Sequence, residues 1–362
     1  MLIKDIPFDS LVNQVNQSHK EVSDPLGHFI DQYIKSGRRK ALYIHTPFCV
    51  SKCRYCKWQS SQLELPEELD FHYEQVLAGQ VKKYHEIFDK IIFNEVYLGG
   101  GTPTIVPAST MGTLFDTIPN FDKIKNKCME ASPDTLTKHH IKLFQKYNFY
   151  FLSIGVQSLN YHIMGKHGRR YISRQELLNL SHYLNEQGIY FNFDMICYLD
   201  TGDLRDVPDF EKDLDFIMNQ CKPSSITIHQ EYWSFQTFEK TNELMRLIRQ
   251  RIDKDPKWVC VNSDLVDEDV RNDTMYRAEY RIVSRNYDYM HHLWDKYNLN
   301  LKEDYDVLTL GSTKRHPLFS FVGDMMYQHE QNIIYSGPHT KFDEWMYRYL
   351  REIRERKGLK PL

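Results

Sequence analysis

Three cysteines near the start of the chain are the residues best suited to do chemistry. Cys49, Cys53 and Cys56 follow a short β-rich run with the spacing C-x3-C-x2-C. Thiolates at this spacing can converge on one soft metal centre from a single loop. Zinc sites commonly pair two Cys-x2-Cys units, and the sequence has no second pair. The spacing therefore favours a [4Fe–4S] cluster with one iron left open for a ligand over a zinc site or an accidental group of cysteines.

The other cysteines have a different expected role. The chain has 7 cysteines, an odd and unevenly spread number that does not fit a disulfide framework. We predict that the four scattered ones are small buried hydrophobic residues: Cys128, Cys197, Cys221 and Cys260. An oxygen-sensitive cluster makes a reducing cytoplasm the expected compartment.

Composition and charge exclude several classes of protein. Of the 362 residues, 41% are hydrophobic and 26% are charged, as in an ordinary globular protein. The 46 basic and 49 acidic residues give a net charge of −3, whereas a dedicated nucleic-acid binder usually carries a basic surplus. No stretch approaches about 18 uninterrupted apolar residues, so we predict no membrane span.

Six β-rich runs alternate with amphipathic segments and predict the elements that position the cysteines. The runs are 41–46, 95–100, 127–132, 149–158, 189–198 and 224–230. The main helical patterns between them are 64–89, 133–147, 174–187 and 210–221. Strands that alternate with helices indicate parallel βαβ units. We therefore predict an α/β fold with a partial (βα)6 TIM-like barrel.

The pattern divides the chain into three parts. Residues 1–40 are polar and mixed, and we interpret them as an N-terminal extension. Residues 41–230 form the predicted barrel. From residue 231 the β-rich runs fade and aromatic, charged helical patterns follow, so we predict that 231–362 is a smaller, mostly helical C-terminal domain. This domain would cover the open side of the barrel and shield a reactive intermediate from water.

Polar and glycine residues fall where five of the predicted strands end. They are His45, residues 99–101, Glu130, Gln157 and Asp194. In parallel barrels the active site lies at the C-terminal ends of the strands. We therefore expect these residues to lie close together, beside the cysteine loop.

The segment HTPFCVSKCRYC (45–56) resembles the signature of the radical S-adenosylmethionine (SAM) superfamily. Its flank, YIHTPF (43–48), resembles the branch of oxygen-independent coproporphyrinogen III oxidase, which includes haem chaperones and class C radical SAM methyltransferases. The resemblance implies a [4Fe–4S] cluster whose open iron binds SAM. Reduction would then cleave the sulfonium bond to methionine and a 5′-deoxyadenosyl radical, with the protein mainly binding, orienting and shielding.

The resemblance also implies which residues contact SAM, and it assigns no catalytic side chain. SAM carries a carboxylate, an ammonium, ribose hydroxyls and a cation, which Arg, Gln and carboxylate groups can match. Side-chain-free backbone can approach such a ligand closely. Arg170 is the alternative to its neighbour Arg169. The matching positions are Gly99, Gly100, Gly101, Thr102, Glu130, Gln157, Arg169 and Asp194, with Tyr43 and Tyr55 near the cluster and adenine.

The sequence departs from the branch at three elements, of which the first lies beside the substrate in relatives. The usual G-L-P-G-Q loop is replaced by residues 197–203, which lack its proline and one glycine. An H-N-x-x-Y-W element is degenerate at 290–297, and a glycine-rich turn is altered at 310–313. The resemblance is therefore strong over 41–230 and weak over 231–325, and the substrate is expected to differ from that of the common members.

Three activities remain open. The favoured one is SAM cleavage to modify a small organic substrate, including class C-type methyl or methylene transfer with a second SAM. The others are oxidative decarboxylation of coproporphyrinogen III and haem chaperoning, with His291, His292 or His316 as a candidate haem ligand. The expected partners are a small-molecule substrate and a flavodoxin or ferredoxin-type electron donor, and neither nucleic acid nor a membrane span is expected.

Overall fold

The parallel strands predicted from the β-rich runs are present in the computed structural model. It describes residues 22–56, 60–149, 151–197, 207–230, 246–263, 279–284, 305–312, 318–322, 325–329 and 332–336. The strands in these ranges are β1 (Arg39–Thr46), β2 (Phe48–Cys49), β3 (Ser61–Gln62), β4 (Glu95–Gly100), β5 (Asn126–Ala131), β6 (Phe151–Gln157), β7 (Tyr190–Cys197), β8 (Ser225–Gln230), β9 (Trp258–Ser263), β10 (Glu279–Ser284), β11 (Tyr305–Leu310), β12 (Phe319–Val322), β13 (Met325–Gln328) and β14 (Ile333–Ser336).

Helices connect the strands and cover one face of the sheet. They are α1 (Pro25–Lys35), α2 (Glu67–Asp70), α3 (Ala78–Lys83), α4 (His85–Lys90), α5 (Ala108–Thr117), α6 (Lys138–Lys146), α7 (Tyr161–Lys166), α8 (Arg174–Glu186), α9 (Val207–Phe216) and α10 (246–253). A π-helical segment, Phe71–Leu77, joins α2 to α3, and a second one, Ile217–Cys221, extends α9. No helix in the described ranges is long and apolar enough to cross a bilayer.

Strands β1 and β4–β8 lie side by side in chain order, and each pair is parallel. All six correspond to the β-rich runs, so the predicted partial barrel is confirmed. Such strands bury both faces, which explains why they are nearly continuous apolar runs in the sequence. In this arrangement the C-terminal ends of all six strands lie at one edge of the sheet.

The two faces of these strands bury different sets of side chains. Leu42 and Ile44 of β1 belong to the main core, on the side of the helices. Tyr43 points to the opposite, inner face, because side chains alternate along a strand. There it packs with Tyr97, Cys128 and Phe151 in a separate cluster. This inner layer lies directly below the polar residues at the strand ends, since the Tyr97 hydroxyl donates to Glu130.

The N-terminal helix α1 is part of the folded body. Phe29 stacks on Tyr327 of β13 with ring centroids 4.8 Å apart. The Tyr33 hydroxyl donates to the Ala41 carbonyl over 3.3 Å. Strand β11 pairs in parallel with β1, and the Lys40 ammonium forms a buried ion pair with Asp306 at 2.5 Å. Helix α1 and strand β11 therefore cover the side of the barrel next to β1.

The helix after β5 begins later than predicted. The pattern at 133–147 placed its start at Pro133, whereas α6 begins at Lys138. Thr137 forms the N-cap, because its hydroxyl accepts the His140 N–H at 3.3 Å and the His140 ring accepts the Thr137 N–H at 3.1 Å. A reciprocal cap of this kind fixes a helix start more strongly than an upstream proline.

The described part of 231–362 differs from the prediction of a mostly helical domain. Besides α10 it contributes the six strands β9 to β14, which extend the same sheet. The helical patterns predicted after residue 231 include 268–283, but β10 (Glu279–Ser284), at the end of that segment, pairs antiparallel with β8 and β9. Strand pairing between distant segments overrides local helical preference. A domain boundary near residue 230 stays a prediction.

Candidate functional site

The cysteine loop lies at the C-terminal end of β1. The short pair β2 and β3 closes it, because Ser61 N–H donates to the Pro47 carbonyl at 2.8 Å and Leu63 N–H donates to the Cys49 carbonyl at 2.9 Å. None of the three cysteines of the loop forms a disulfide, and Cys53 is buried whereas Cys49 and Cys56 are half-buried. The loop therefore presents three thiols, none of them in a disulfide, within eight residues of chain.

The glycine turn after β4 supports the loop from one side. Gly101 N–H donates to the Thr46 carbonyl at 2.7 Å, and Thr102 N–H donates to the Phe48 carbonyl at 2.8 Å. A side chain at Gly101 would collide with the carbonyl of Phe48, and one at Gly100 would lie 2.6 Å from the His45 ring. Gly100 also has a φ of +108°, which favours glycine. The glycines thus allow the backbone of the turn after β4 to pack directly against the backbone of the cysteine loop.

Arg169 supports the loop from the other side and contacts a predicted cluster ligand. Its guanidinium lies 3.9 Å from the Cys53 sulfur and 3.1 Å from the Ser132 hydroxyl, and it donates to the Gly155 carbonyl. Arg170, the alternative partner in the sequence, is exposed. The structure therefore identifies Arg169 as the arginine that faces the site.

Gln157 ends β6 beside this arginine in an unusual conformation. Its φ is +68°, in the left-handed region that side chains other than glycine rarely adopt. The pairing with β7 shifts register at the same point. Its side-chain oxygen is buried and has no hydrogen-bond partner among the described residues. Backbone strain and an unsatisfied buried acceptor at one residue are typical of a ligand site.

Glu130 lies at the end of β5, against the glycine turn. Its carboxylate accepts the Tyr97 hydroxyl at 2.9 Å and Gly100 N–H at 3.2 Å. A side chain at Gly99 would lie 2.8 Å from the Tyr97 ring and 3.2 Å from the Glu130 carboxyl, so the glycine keeps this carboxyl accessible. Burial raises the pKa of Glu130 to about 7, and the nearby Asp194 carboxylate acts in the same direction.

Asp194 projects from β7 and is held by a network of side chains. Its two oxygens accept the Ser153 hydroxyl at 2.9 Å and the Asn192 amide at 2.7 Å. Asn192 in turn accepts the hydroxyls of Ser225 at 2.9 Å and Thr227 at 3.1 Å. This network was not predicted from the sequence. The sequence pattern that could have predicted it is a polar residue at every second position of neighbouring strands, because such residues share the inner face.

The two predicted tyrosines lie on different sides of the loop. Tyr55 is buried in a small cluster with Cys53, Met164 and Ile196. The Tyr43 hydroxyl lies 3.1 Å from the His45 ring, on the inner face of the barrel. Burial raises the pKa of Tyr43 well above its usual value, so the phenol is neutral.

The side chains of three of the four scattered cysteines are described, and they are buried, as predicted. Cys128, Cys197 and Cys221 are buried among apolar residues, and burial raises the pKa of Cys221 to about 11. The side chain of Cys260 and the segments holding His291, His292 and His316 lie outside the described residues, as do residues 198–203 of the altered loop. A haem-ligand role for these histidines stays untested.

The chain is similar to several known proteins. The chain matches the radical SAM superfamily over residues 43–214. It is 29% identical over 172 residues to the haem chaperone HemW of Buchnera aphidicola subsp. Schizaphis graminum, covering 46% of this chain and 45% of that protein. It is 26% identical over 218 residues to the oxygen-independent coproporphyrinogen-III oxidase-like protein HemZ of Bacillus subtilis, covering 57% and 41%. The match spans less than half the length of either relative.

The fold is similar to that of coproporphyrinogen III oxidase (HemN) from Escherichia coli, a radical SAM enzyme. The TM-score is 0.64 at 16% sequence identity, over 87% of this chain and 76% of that one. This likeness supports the partial barrel. The match over residues 43–214 and the similarity to HemW and HemZ therefore support a radical SAM domain of the HemN-like branch.

Proposed function

We propose that the protein is a radical SAM enzyme that holds a [4Fe–4S] cluster on Cys49, Cys53 and Cys56 and binds SAM beside it. One observation carries the proposal: the Arg169 guanidinium contacts both the Cys53 sulfur and the Gly155 carbonyl near the end of β6. At that end Gln157 has a buried side-chain oxygen without a hydrogen-bond partner among the described residues. The predicted cluster loop and the predicted SAM contacts thus share one edge of the sheet.

The donor set suits a cluster better than a single metal ion. Among the described residues, no three His, Cys, Asp or Glu side chains are placed to bind one ion together. A structural zinc site needs four such ligands around a point. In a cluster each thiolate binds a different iron, so the three sulfurs can remain apart while sharing one loop. Three thiols in one loop, none in a disulfide and one beside Arg169, fit that requirement.

The residues around the loop also fit SAM. The glycine turn offers backbone that a side chain would block, and Arg169 offers a cation for the carboxylate. The Glu130 and Asp194 carboxylates can accept from the ammonium and the ribose hydroxyls. When bound, the cluster and SAM together supply a one-electron cleavage of the sulfonium bond. The residues of this chain bind, orient and exclude water.

Anaerobic reconstitution tests the proposal. Wild-type protein should bind about four irons per chain and form 5′-deoxyadenosine with SAM and dithionite. Cys53→Ala should lose both, and the matched control Cys221→Ala, which removes a buried thiol outside the loop, should keep both. Full iron content in Cys53→Ala would contradict the assignment of the cluster ligands.

We propose further that the substrate is a small organic molecule and that class C-type methyl or methylene transfer is the favoured reaction. Support comes from the sequence departures at 197–203, which lies beside the substrate in relatives, and at 290–297, where an element common in chaperones and class C methyltransferases is degenerate. With deuterium-labelled SAM methyl groups, label in the product supports transfer. Release of carbon dioxide from coproporphyrinogen III would favour the oxidase instead. Stoichiometric haem binding without turnover would favour the chaperone named among the relatives.

A further inference from the structure

The turn after β5, residues 132–136, lies between the glycine turn and Arg169. Ser132 begins it and is 8% exposed. The Ser132 N–H donates to the hydroxyl of Thr104, which follows the glycine turn, at 3.3 Å, and the Ser132 carbonyl accepts the N–H of Thr135 at 3.1 Å. The hydroxyls of Thr104 and Thr135 lie 2.7 Å apart. The backbone of Ser132 is therefore fixed from both sides.

The Ser132 hydroxyl lies between a cation and an anion. It is 3.1 Å from Nη2 of Arg169 and 2.5 Å from a carboxylate oxygen of Asp134. An arginine side chain has donors only, so the hydroxyl accepts from Arg169. Its single hydrogen is then available for Asp134. The carboxylate of Asp134 thus acts on Arg169 through Ser132.

The two terminal nitrogens of Arg169 have different environments. Nη2 donates to the Ser132 hydroxyl and to the Gly155 carbonyl, and these contacts use its two hydrogens. A side chain at Gly155 would lie 3.0 Å from Nη2, so the glycine gives the arginine access to the backbone. Nη1 lies 3.9 Å from the Cys53 sulfur. The protein therefore holds the guanidinium by Nη2 and leaves Nη1 to face the cysteine loop.

The charge of Asp134 also favours this arrangement. Burial acts to lower the pKa of Arg169, whereas Cys53 and the Asp134 carboxylate act to raise it, and the pKa lies above its usual value. A hydroxyl that donates to a carboxylate is polarised by it and becomes a better acceptor in turn. Ser132 should therefore hold the guanidinium more firmly than an isolated hydroxyl would.

We propose that Ser132 and Asp134 are positioning residues that hold Arg169 by Nη2, so that Nη1 faces the carboxylate of SAM. The inference rests on the proposed function, in which Arg169 offers its cation to that carboxylate. Pairs between a guanidinium and a carboxylate depend on orientation, because the guanidinium is planar and its donors are fixed. A guanidinium that can rotate would bind SAM less tightly, even though its charge is unchanged.

A purely structural role of the turn makes a different prediction. Ser and Asp side chains often close a turn through local hydrogen bonds. If that were their only role, removing them would loosen the strand ends and weaken every ligand of the site alike. The positioning role confines the loss to ligands that carry the carboxylate. Decarboxylated SAM separates the two, because it keeps the ammonium, the sulfonium and the ribose hydroxyls.

Anaerobic titration calorimetry of the reconstituted protein provides the test. The dissociation constant for SAM should rise about tenfold in Ser132→Ala and in Asp134→Ala, as expected for loss of a hydrogen bond that involves a charged group. Asp134→Asn keeps an acceptor for the hydroxyl and should raise it only about threefold. The dissociation constant for decarboxylated SAM should change less than about twofold in all three variants, and iron content should stay at the wild-type level.

Two matched controls should bind both ligands like wild type. Asp116→Ala removes an exposed carboxylate that accepts the Tyr147 hydroxyl on the helical side of the sheet. Ser181→Ala removes a buried hydroxyl that donates within α8. Because Asp134 is exposed, its substitution should leave the fold intact, and it tests the proposal even if Ser132→Ala folds poorly.

A double-mutant cycle completes the test. In the Arg169→Gln background, Asp134→Ala should cause no further loss of SAM affinity, because Asp134 acts through Arg169. A further loss there, or equal weakening of SAM and decarboxylated SAM, would overturn the positioning role. So would wild-type affinity for SAM in Asp134→Ala. Failure of wild-type protein with a full cluster to bind SAM would instead refute the proposed function, on which the inference rests.

Discussion

The Glu130 carboxyl should make SAM binding depend on pH. It is buried between Tyr97 and the glycine turn, and burial raises its pKa to about 7. Only the ionised form can pair with the positive charges of SAM, so a protonated Glu130 must first release its proton. We therefore expect affinity to fall as the pH drops below the pKa.

The size of the effect follows from the pKa. Above pH 8 the carboxyl is almost fully ionised, whereas at pH 6 only about one molecule in ten is. The dissociation constant for SAM should therefore rise about tenfold between pH 8 and pH 6, equivalent to ~1.4 kcal/mol. In Glu130→Gln the affinity should be lower and independent of pH over this range.

Anaerobic titration calorimetry of the reconstituted protein measures both quantities, because buffers of different ionisation enthalpy report the protons released on binding. Glu95→Gln is the control, since Glu95 is also a buried carboxyl of raised pKa but lies at the start of β4, away from the site. His229 acts on the same carboxyl and is retained in Glu130→Gln. A pH dependence that survives in Glu130→Gln would refute the reasoning.

Three further substitutions test other parts of the structure. Burial raises the pKa of Glu95 to about 8 in the folded protein, whereas the carboxyl of the unfolded chain ionises near 4.5. The free energy of unfolding should therefore fall as the pH rises from about 4.5 to 8, because only the unfolded chain releases the proton in that range. Glu95→Gln should raise the melting temperature at pH 8 but not at pH 5. Gly101→Ala should lower iron content, because its methyl group would collide with the Phe48 carbonyl. Asn192→Ala should lower the free energy of unfolding by about 1–3 kcal/mol and weaken SAM binding, because Asp194 loses a donor.

Each of these substitutions has a control or an opposing result. Gly79→Ala adds a methyl group where nothing lies within 4 Å and should keep full iron content. Iron content in Gly101→Ala equal to that in Gly79→Ala would show that the glycine turn tolerates a side chain. Chemical denaturation of Asn192→Ala with unchanged stability and SAM affinity would remove the positioning role of Asn192. A melting temperature of Glu95→Gln that is unchanged at both pH values would show that Glu95 is not buried as a neutral acid.

The sequence predicts the barrel strands well and the later strands poorly, for a physical reason. Strands β4 to β8 are parallel and buried on both faces, so each one is an apolar run that can be recognised locally. Strand β10 is recognisable only through its partners, which lie about 20 and 50 residues before it. Residues 268–283 have a helical pattern in isolation, and pairing with distant segments decides the outcome. Nothing local in the sequence carries that information.

In the site too, some residues are predicted by local sequence and others depend on distant parts of the chain. The cysteines and the glycine turn could be predicted because a short motif fixes their types and spacing. Asn192 was missed, since its role depends on Ser225 and Thr227, which come from the next strand. The choice between Arg169 and Arg170 also needed coordinates, because adjacent residues in a loop can each point inward. Sequence motifs therefore name the groups that contact a ligand more readily than the groups that hold them in place.

Two buried polar groups without partners show why position decides whether such a group marks a site. Glu95 and Gln157 both have buried oxygens that no described residue satisfies. Glu95 lies at the N-terminal end of its strand on ordinary backbone. Its raised pKa keeps the carboxyl protonated, so the protein avoids the cost of burying a charged carboxylate. Gln157 cannot titrate, has a left-handed backbone and lies beside Arg169 at the C-terminal ends of the strands. A donor beyond the described residues would offset this cost, and in the proposed function the ammonium or hydroxyl groups of SAM would supply it.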